Sequence, residues 1–405
     1  IRRRTSFAKR FQQLVTMWPL SVLAQTCDVS ESEVERLFDL YARSEPVATL
    51  MGWGLQRYKY GGETVRFING LALLSRNIGR SGGGCYFNIL SMRDFDLSWA
   101  AGSAGLKRRT LLEPTVGKDI LEAKDPLIRL IWVNGFNLVN QAPDSGTIAR
   151  AFQATDFKVV VDAFMTDTAA RADLILPCQL MFEKEDIVGS FLHNYVNYVR
   201  PVLAPPKGAR SDFWILSELG KRLDPPILLP AAEDCMKASL DSPYLGISLE
   251  ELRQLGFVRA KRPVIPYADL EFDHPDGKYH LPTEIHEEPP PPAGFPLRLL
   301  TLVRRNFLHS QILPEEHDQM PQVWLSAKSD AFIRLDLERD VYMASPLGRL
   351  KVRVKYLQGL HPEAVIYRRG DWMRMGGGAN QIIAAELTDM GDGAAYYSQY
   401  VRLEN

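Results

Sequence analysis

The stretch from Ile131 to Glu185 constrains the fold more than any other part of the chain. Leu127–Val133 is a short apolar run that stops at the turn signal Asn134-Gly135. Such a run reads as a buried strand releasing its backbone into a loop, here one carrying Asn137 and Asn140. Lys158–Val161 is a second, β-branched run ending on Asp162, after which Thr166 or Asp167 can cap a short helix over Thr168–Arg171. Leu174–Leu176 is a third run, closed by Pro177. Strands spaced for helical crossovers imply a parallel α/β sheet. Ligands of such sheets sit beyond the carboxyl ends of the strands, which is where Asn137 and Asp162 fall.

At 405 residues the chain exceeds what one hydrophobic core usually serves. We divide it into an α/β domain with a helical N-terminal part (residues 1–230), an irregular crossing segment with a proline-rich linker (231–296) and a β-barrel domain (297–405). A net charge of −1 gives no basic footprint for nucleic acid. No apolar run approaches the roughly 18 residues of a membrane span. Cys27, Cys85, Cys178 and Cys235 are far apart with no CxxC, which argues against a local iron–sulfur or zinc motif and leaves free, buried thiols as the expectation. The chain starts on Ile1 with no visible targeting segment, and reads as a piece of a longer polypeptide or a subunit processed upstream.

Residues 1–45 read as helical. Ser30 and Glu33 form a capping-box pair ahead of Val34, Leu37, Phe38 and Tyr41, spaced for one packed helix face. Val47–Met51 reads as a strand and Glu63–Arg76 as a helix stopped near Gly79. The loop Gly79–Cys85 (GRSGGGC) follows a helix and lacks GK[ST], so it is a packed or flexible turn rather than a phosphate loop. Residues 91–125 read as surface connection. Ser211 can cap a helix over Asp212–Leu223 with Ile215, Leu216 and Leu219 inward. Residues 224–290 are broken by prolines, and HEEPPPPAGFP at 286–296 is the linker. Beyond it Leu350, Val352 and Val354 alternate with Lys351, Arg353 and Lys355 after a Ser345-Pro346-Leu347-Gly348 turn. With Leu297–Val303, Val341–Met343, Ala364–Arg368 and Tyr396–Leu403 they suggest a small β-barrel.

Chemistry-bearing residues gather at these edges. A carboxylate such as Asp162 or Asp212 can accept two parallel hydrogen bonds from a guanine edge. Thr301, Arg304, Arg305, His309 and Ser310 suit a pyrophosphate. Plainer roles stand beside these: Asp212 on a helix dipole, Lys184 as a solvated charge, Asn137 for turn geometry, Arg304-Arg305 as an exposed pair. The histidines show no metal-ligand spacing, and no serine nucleophile elbow is visible.

The runs LMGWGLQRYKYGG, NIGRSGGG, IWVNGFNLVNQAP, DTAARADLILP with EKE, and TLVRRNFLHS through GDWMRMGGGAN to YYSQYVRLE occur in one order along almost the whole chain. In that order they resemble the molybdopterin oxidoreductases of the dimethyl sulfoxide reductase family. The resemblance implies a Rossmann-like parallel-sheet domain, partly incomplete here, followed by a six-stranded double-psi-like barrel. It implies a bis-molybdopterin guanine dinucleotide cofactor carrying molybdenum or tungsten. Met51 and Leu55 would then lie near the pterin, although Leu55 stands where some relatives carry a polar side chain. Asn137, Val161, Asp162, Lys184 and Asp212 would hold one dinucleotide. Thr301, Arg304, Arg305, Asn306, His309 and Ser310 would wrap pyrophosphate and pterin, and Trp372, Asn380 and Tyr397 would complete the second site. Glu338-Arg339-Asp340 departs from the family's Gly-Asp turn. The family's metal ligand and the cysteines of a [4Fe–4S] centre lie upstream of these motifs, so the resemblance implies binders here and no catalytic residue. It further implies a small-molecule substrate for two-electron redox or oxo transfer and an iron–sulfur electron-transfer partner subunit. The alternative is a structural relative that has lost the cofactor and serves within an electron-transfer complex.

Overall fold

The computed structural model describes residues 2–43, 45–100, 108–317 and 320–405. The N-terminal part holds β1 (Thr5–Ser6), α1 (Ala8–Val15), α2 (Leu20–Thr26) and α3 (Glu31–Ala42). Ser30 caps α3, taking the Glu33 N–H while Glu33 reaches back to the Ser30 N–H, so the expected capping box forms. The packed face does not. Leu37 and Phe38 are exposed, and Val34 and Tyr41 only half-buried. The apolar spacing specifies a stripe; burial needs a covering element, and none of the described elements covers this one.

β2 (Ala48–Leu50) runs parallel to β3 (Gly84–Tyr86), with α4 (Gly61–Leu74) between them. Helix α4 stops at Arg76, not Gly79: Arg76 takes φ +61°, its N–H bonds to the Leu73 carbonyl and the Asn77 N–H to the Ala72 carbonyl. This is a Schellman ending made without glycine. The glycine-rich loop is tightly packed, since a Cβ on Gly83 would lie 2.5 Å from the Asn77 carbonyl oxygen.

The central sheet is β4 (Leu130–Asn134), β5 (Phe157–Asp162) and β6 (Leu174–Pro177), parallel and in that order. Helices α5 (Val116–Glu122), α6 (Leu138–Gln141) and α7 (Ser145–Ala154) pack on it around Ile131, Val133, Ile148, Phe152 and Val160. Residues 91–125 are thus more than surface connection, because α5 contributes Val116 and Ile120 to this core. The Thr166 hydroxyl accepts the Ala169 N–H ahead of the turn Ala169–Arg171, whose N-cap is Thr168.

β7 (Asp186–Val188) and β8 (Tyr195–Val199) precede α8 (Asp212–Gly220). Ser211 caps α8 as expected, and Ile215 is buried, but Leu216 and Leu219 are exposed. The segment 224–290 is less irregular than its prolines suggest. It contains α9 (Ala232–Leu240), α10 (Leu249–Leu255), β9 (Phe257–Arg259) and β10 (Tyr279–His280). A Ser248–Glu251 capping box starts α10, and β9 adds to β8 in an antiparallel sheet over Leu240, Leu249 and Leu252. β10 pairs with β1.

The last part is a closed six-stranded barrel. Its strands are β11 (Leu297–Leu302), β12 (Gln322–Leu325), β13 (Val341–Ser345), β14 (Gly348–Tyr356), β15 (Ala364–Arg368) and β16 (Tyr400–Glu404), with a short α11 (Asp330–Arg334). Around the barrel the order is β11-β15-β12-β14-β13-β16, with β11–β15 and β12–β14 parallel. Leu299, Val323, Leu325, Met343, Val365 and Val401 fill it. Alternation puts one side chain of every two inside, and closure leaves no edge strand. β12 has no sequence signal as clear as its neighbours, and the closing strand starts at Tyr400 rather than Tyr396.

All four cysteines are free, but only Cys235 is buried. Cys85 and Cys178 are half-buried at loop and strand ends, and Cys27 is exposed at the end of α2, beside the uncovered helical faces.

Candidate functional site

Candidate residues fall into three groups around the junction between the parallel sheet and the barrel. The first group stands at the carboxyl edge of the sheet. Asp162 ends β5; its carboxylate accepts the N–H groups of Ala163 (2.7 Å) and Phe164 (3.4 Å) and the Thr166 hydroxyl (3.4 Å). Burial nonetheless holds its pKa above the ordinary carboxylate value against these bonds. Across from it Lys184 Nζ sits 3.1 Å from Asp212 Oδ2, at the first turn of α8. Cys178 lies between them: burial, then Asp212 and Asp162, push its thiol up to about 11, while Lys184 pulls the other way. Two carboxylates and one ammonium therefore converge on one side of the sheet. Val161 is wholly buried and takes part through its carbonyl, which accepts the Gly135 N–H at 2.9 Å. Gly135, at φ +59°, has open space where a Cβ would stand.

The second group is the seam between α6 and the barrel. Asn137 is 3% exposed. Its Oδ1 accepts the Thr168 hydroxyl (2.9 Å) and N–H (3.2 Å), while its Nδ2 is buried without a hydrogen-bond partner. Asp167, at 1% exposure, accepts the N–H groups of Met373 (2.6 Å) and Arg374 (3.2 Å) and the Asn140 amide (3.2 Å). Asn140 also donates to the Asp371 carbonyl (2.7 Å). Asn380 Nδ2 donates to the carbonyls of Asn140 and Gln141, each at 2.7 Å. Gln141 donates to Ser310 Oγ (2.6 Å), and the Trp372 indole N–H to the Ser310 carbonyl (2.8 Å). Arg304 pairs with Asp371, which also accepts the Tyr367 hydroxyl at 2.7 Å. Ser310 and Asn380 thus join the two parts, whereas Trp372 and Arg304 bond to other residues of the barrel part. Arg304 also lines an outer cleft of about 470 Å³ with Arg305, Asn306, Phe307, Trp324 and Arg368.

The third group lies where the loop before α4 meets the barrel mouth. The Tyr397 N–H bonds to the Arg57 carbonyl at 2.9 Å. The Arg57 guanidinium stacks 4.2 Å from the Tyr396 ring centre and 5.2 Å from that of Tyr397. Arg369 Nη1 donates to the Thr301 carbonyl (2.6 Å), toward which the Tyr397 hydroxyl also points at 3.4 Å. Burial first, then the field of Arg369, pushes Arg57 down to about 10. His309, at φ +51° and solvent-accessible at its surface, is lowered by desolvation and then by Arg369 and Arg57. Met51 is buried beside Cys85 (4.0 Å between sulfurs), and Leu55 is half-buried in the turn Trp53–Arg57.

Asp167, Asn140, Gln141, Asp371, Arg57 and Arg369 carry much of this geometry without having been singled out as site residues. Asp167 looked like a local helix cap, and its barrel partners are 206 and 207 residues away. Nothing in GLQRYK or YRRG marks Arg57 or Arg369.

The sequence profile described as Molybdopterin oxidoreductase matches residues 33–222. A probable oxidoreductase, YyaE, of Bacillus subtilis (strain 168) is 31% identical over 93% of this chain and 60% of its own length. A putative dimethyl sulfoxide reductase catalytic chain of Halobacterium salinarum is 24% identical over 95% of this chain and 50% of its own. Among solved structures, acetylene hydratase from Pelobacter acetylenicus shares the fold, with a TM-score of 0.56 and 17% identity over 72% of this chain and 46% of that one. The fold and these relatives define a molybdenum- or tungsten-pterin class of protein. The chain is similar over most of its length to molybdopterin oxidoreductases, with a dimethyl sulfoxide reductase among the named relatives. It spans 50–60% of the length of the curated relatives that it matches over nearly its whole length. Among the described residues no helix is long and apolar enough to cross a membrane.

Proposed function

We propose that this chain forms the dinucleotide-holding part of a molybdenum- or tungsten-dependent oxidoreductase and binds the pterin guanine dinucleotide form of the cofactor. The observation that carries this reading is the pair of buried polar atoms left without partners on the two sides of the junction, Asn137 Nδ2 and Thr301 Oγ1. A buried donor or hydroxyl without a partner costs about 1–3 kcal/mol, so such atoms call for a ligand. Asp162 and Asp212 supply carboxylates for a guanine edge, with Lys184 orienting Asp212 through their ion pair. Ser310 and Asn380 serve by fixing the barrel against α6, with Trp372 holding the Ser310 carbonyl. Arg305, Asn306 and His309 add donors at the barrel loops, and Met51 and Leu55 an apolar wall.

The bound cofactor would supply two-electron redox or oxo-transfer chemistry on a small substrate. The residues of this chain bind, orient and exclude water, and we assign none of them a catalytic role. A bis-dinucleotide form, a [4Fe–4S] centre and an iron–sulfur partner subunit belong to the same reading of the complete enzyme. The test is guanine nucleotide released by acid hydrolysis of protein purified from a cofactor-making host. The expected result is guanine nucleotide in proportion to pterin, reduced about tenfold in Asp212→Asn and Asp162→Asn. Pterin without guanine nucleotide would refute the dinucleotide form.

A further inference from the structure

The outer face of the barrel carries cations in an order that the barrel itself does not use. Along β14 the inward positions are Leu350, Val352 and Val354, so Arg349, Lys351, Arg353 and Lys355 all take the outward side of one strand. Their cross-strand neighbours are Ala344 and Tyr342 on β13 and Gln322 and Trp324 on β12. None of these is acidic, so the opposite-charge pairs that settle a row of like charges are missing. Of the four cations, Lys351 alone forms an ion pair among the described residues, with Asp340 at 2.7 Å. Arg349, Arg353 and Lys355 are exposed. Cations on a strand can guard a free edge, but β14 belongs to a closed barrel with β13 and β12 as its partners. Arg349 lies over Tyr342, 4.4 Å from the ring centre, and Arg368 over Trp324 at 5.8 Å, which holds both guanidinium groups in place. Beyond Trp324 the face falls into the cleft of about 470 Å³, where Phe307, Gln322, Trp324 and Arg368 form part of the lining.

The geometry points to a docking surface for an extended, acidic segment of a partner protein, laid along β14 with one apolar side chain in the cleft. Alternate residues of a strand are about 7 Å apart, so the four cations span about 20 Å and match carboxylates at every second position of an extended chain. Guanidinium groups suit carboxylates because each can hold one by two parallel hydrogen bonds. The row is short and bounded: Asp340 stands beside Lys351, and Glu404 on β16 stands opposite Tyr342. In a chain of net charge −1, these bounds disfavour a nucleic acid, whose phosphates continue past the row, and favour a local acidic strip. None of the residues named for this surface is among those proposed to hold the cofactor, so the surface is independent of that reading.

Fluorescence anisotropy on the whole chain tests the surface. The probe is a labelled peptide of about nine residues that alternates glutamate with threonine and carries leucine at both ends. We expect it to bind at low salt, to weaken as salt is raised, and to bind more tightly than a peptide of the same composition with its glutamates in one block. Arg353→Glu combined with Lys355→Glu should weaken binding about tenfold or more, while Lys118→Glu on α5 leaves it unchanged. The β14 pair should melt with the parent, because both side chains are exposed. If it melts lower, Arg353→Gln with Lys355→Gln takes its place, with the same loss of affinity expected. No binding by a parent that is folded by circular dichroism, equal affinity in parent and β14 variants, or equal affinity for the alternating and block peptides overturns the proposal. Tighter binding of oligothymidylate than of the alternating peptide overturns it in favour of a nucleic acid. Salt-sensitive self-association in sedimentation, lost in the β14 variants, overturns it in favour of a second copy of this chain.

Discussion

The barrel and the three N-terminal helices use the same kind of information and end differently. In the barrel, alternating side chains meet one another across a closed sheet, and Leu299, Val323, Leu325 and Met343 are fully buried. In α1–α3 a helical spacing is equally clear, yet Leu37 and Phe38 face outward and α3 buries no residue. A closed sheet supplies its own partner for every inward position. A helix specifies only which side chains would be buried together, and needs a second surface to bury them.

Substitutions can break or sharpen this contrast. The largest expected effect is in the barrel: Leu299→Ala should cost about 2–5 kcal/mol in urea unfolding, through lost transfer energy and the cavity left behind. At the seam, Asp167→Ala strands the Met373 and Arg374 N–H groups and should cost about 1–3 kcal/mol for each donor left unpaired. Because Asp167 joins barrel to α6, the loss should come with lower protection from hydrogen exchange in both parts. Ser30→Ala removes the capping box of α3 and should cost about 1 kcal/mol, read as lost helicity. Phe38→Ala, on the uncovered face, should shift stability by less than about 0.5 kcal/mol. A loss as large as at Leu299 would show that this face is covered in solution.

The smallest effect is on pH dependence. Bonded to Glu63, His286 fastens the linker to α4, and that hydrogen bond is the first cause of its raised pKa. A raised folded value places the stabilisation in full below the ordinary histidine value of 6.5 and removes it as pH rises through the folded value. His286→Gln should therefore flatten the stability profile above about pH 6.5. An unchanged profile would mean the contact contributes nothing.

What the sequence makes legible follows the same division. The β4–β6 runs, the turn at Gly135, the Ser30 and Ser211 caps and the alternation of β14 are local patterns, and the structure contains them. The family was legible from motif order. The helices α9 and α10 were hidden by surrounding prolines, although the Ser248–Glu251 pair was a usable signal. Leu216 and Leu219 misled because helical spacing does not say whether a neighbour exists. The seam was not legible at all: Asn380 meets Asn140 from 240 residues away, and Asp167 reads as a cap until its barrel partners are in place. Arg57 and Arg369 are ordinary arginines in sequence, and only folding brings their charges together.

The most direct test of the central claim is elemental analysis for molybdenum and tungsten, paired with pterin fluorescence after oxidative extraction. It should be made on the chain purified from an anaerobically grown host that makes the cofactor, both alone and within a polypeptide of the full length of its relatives. The account predicts pterin together with metal in the full-length form, and less of both in Asp212→Asn. Neither pterin nor metal in either preparation would contradict it, leaving a structural relative without cofactor as the better description.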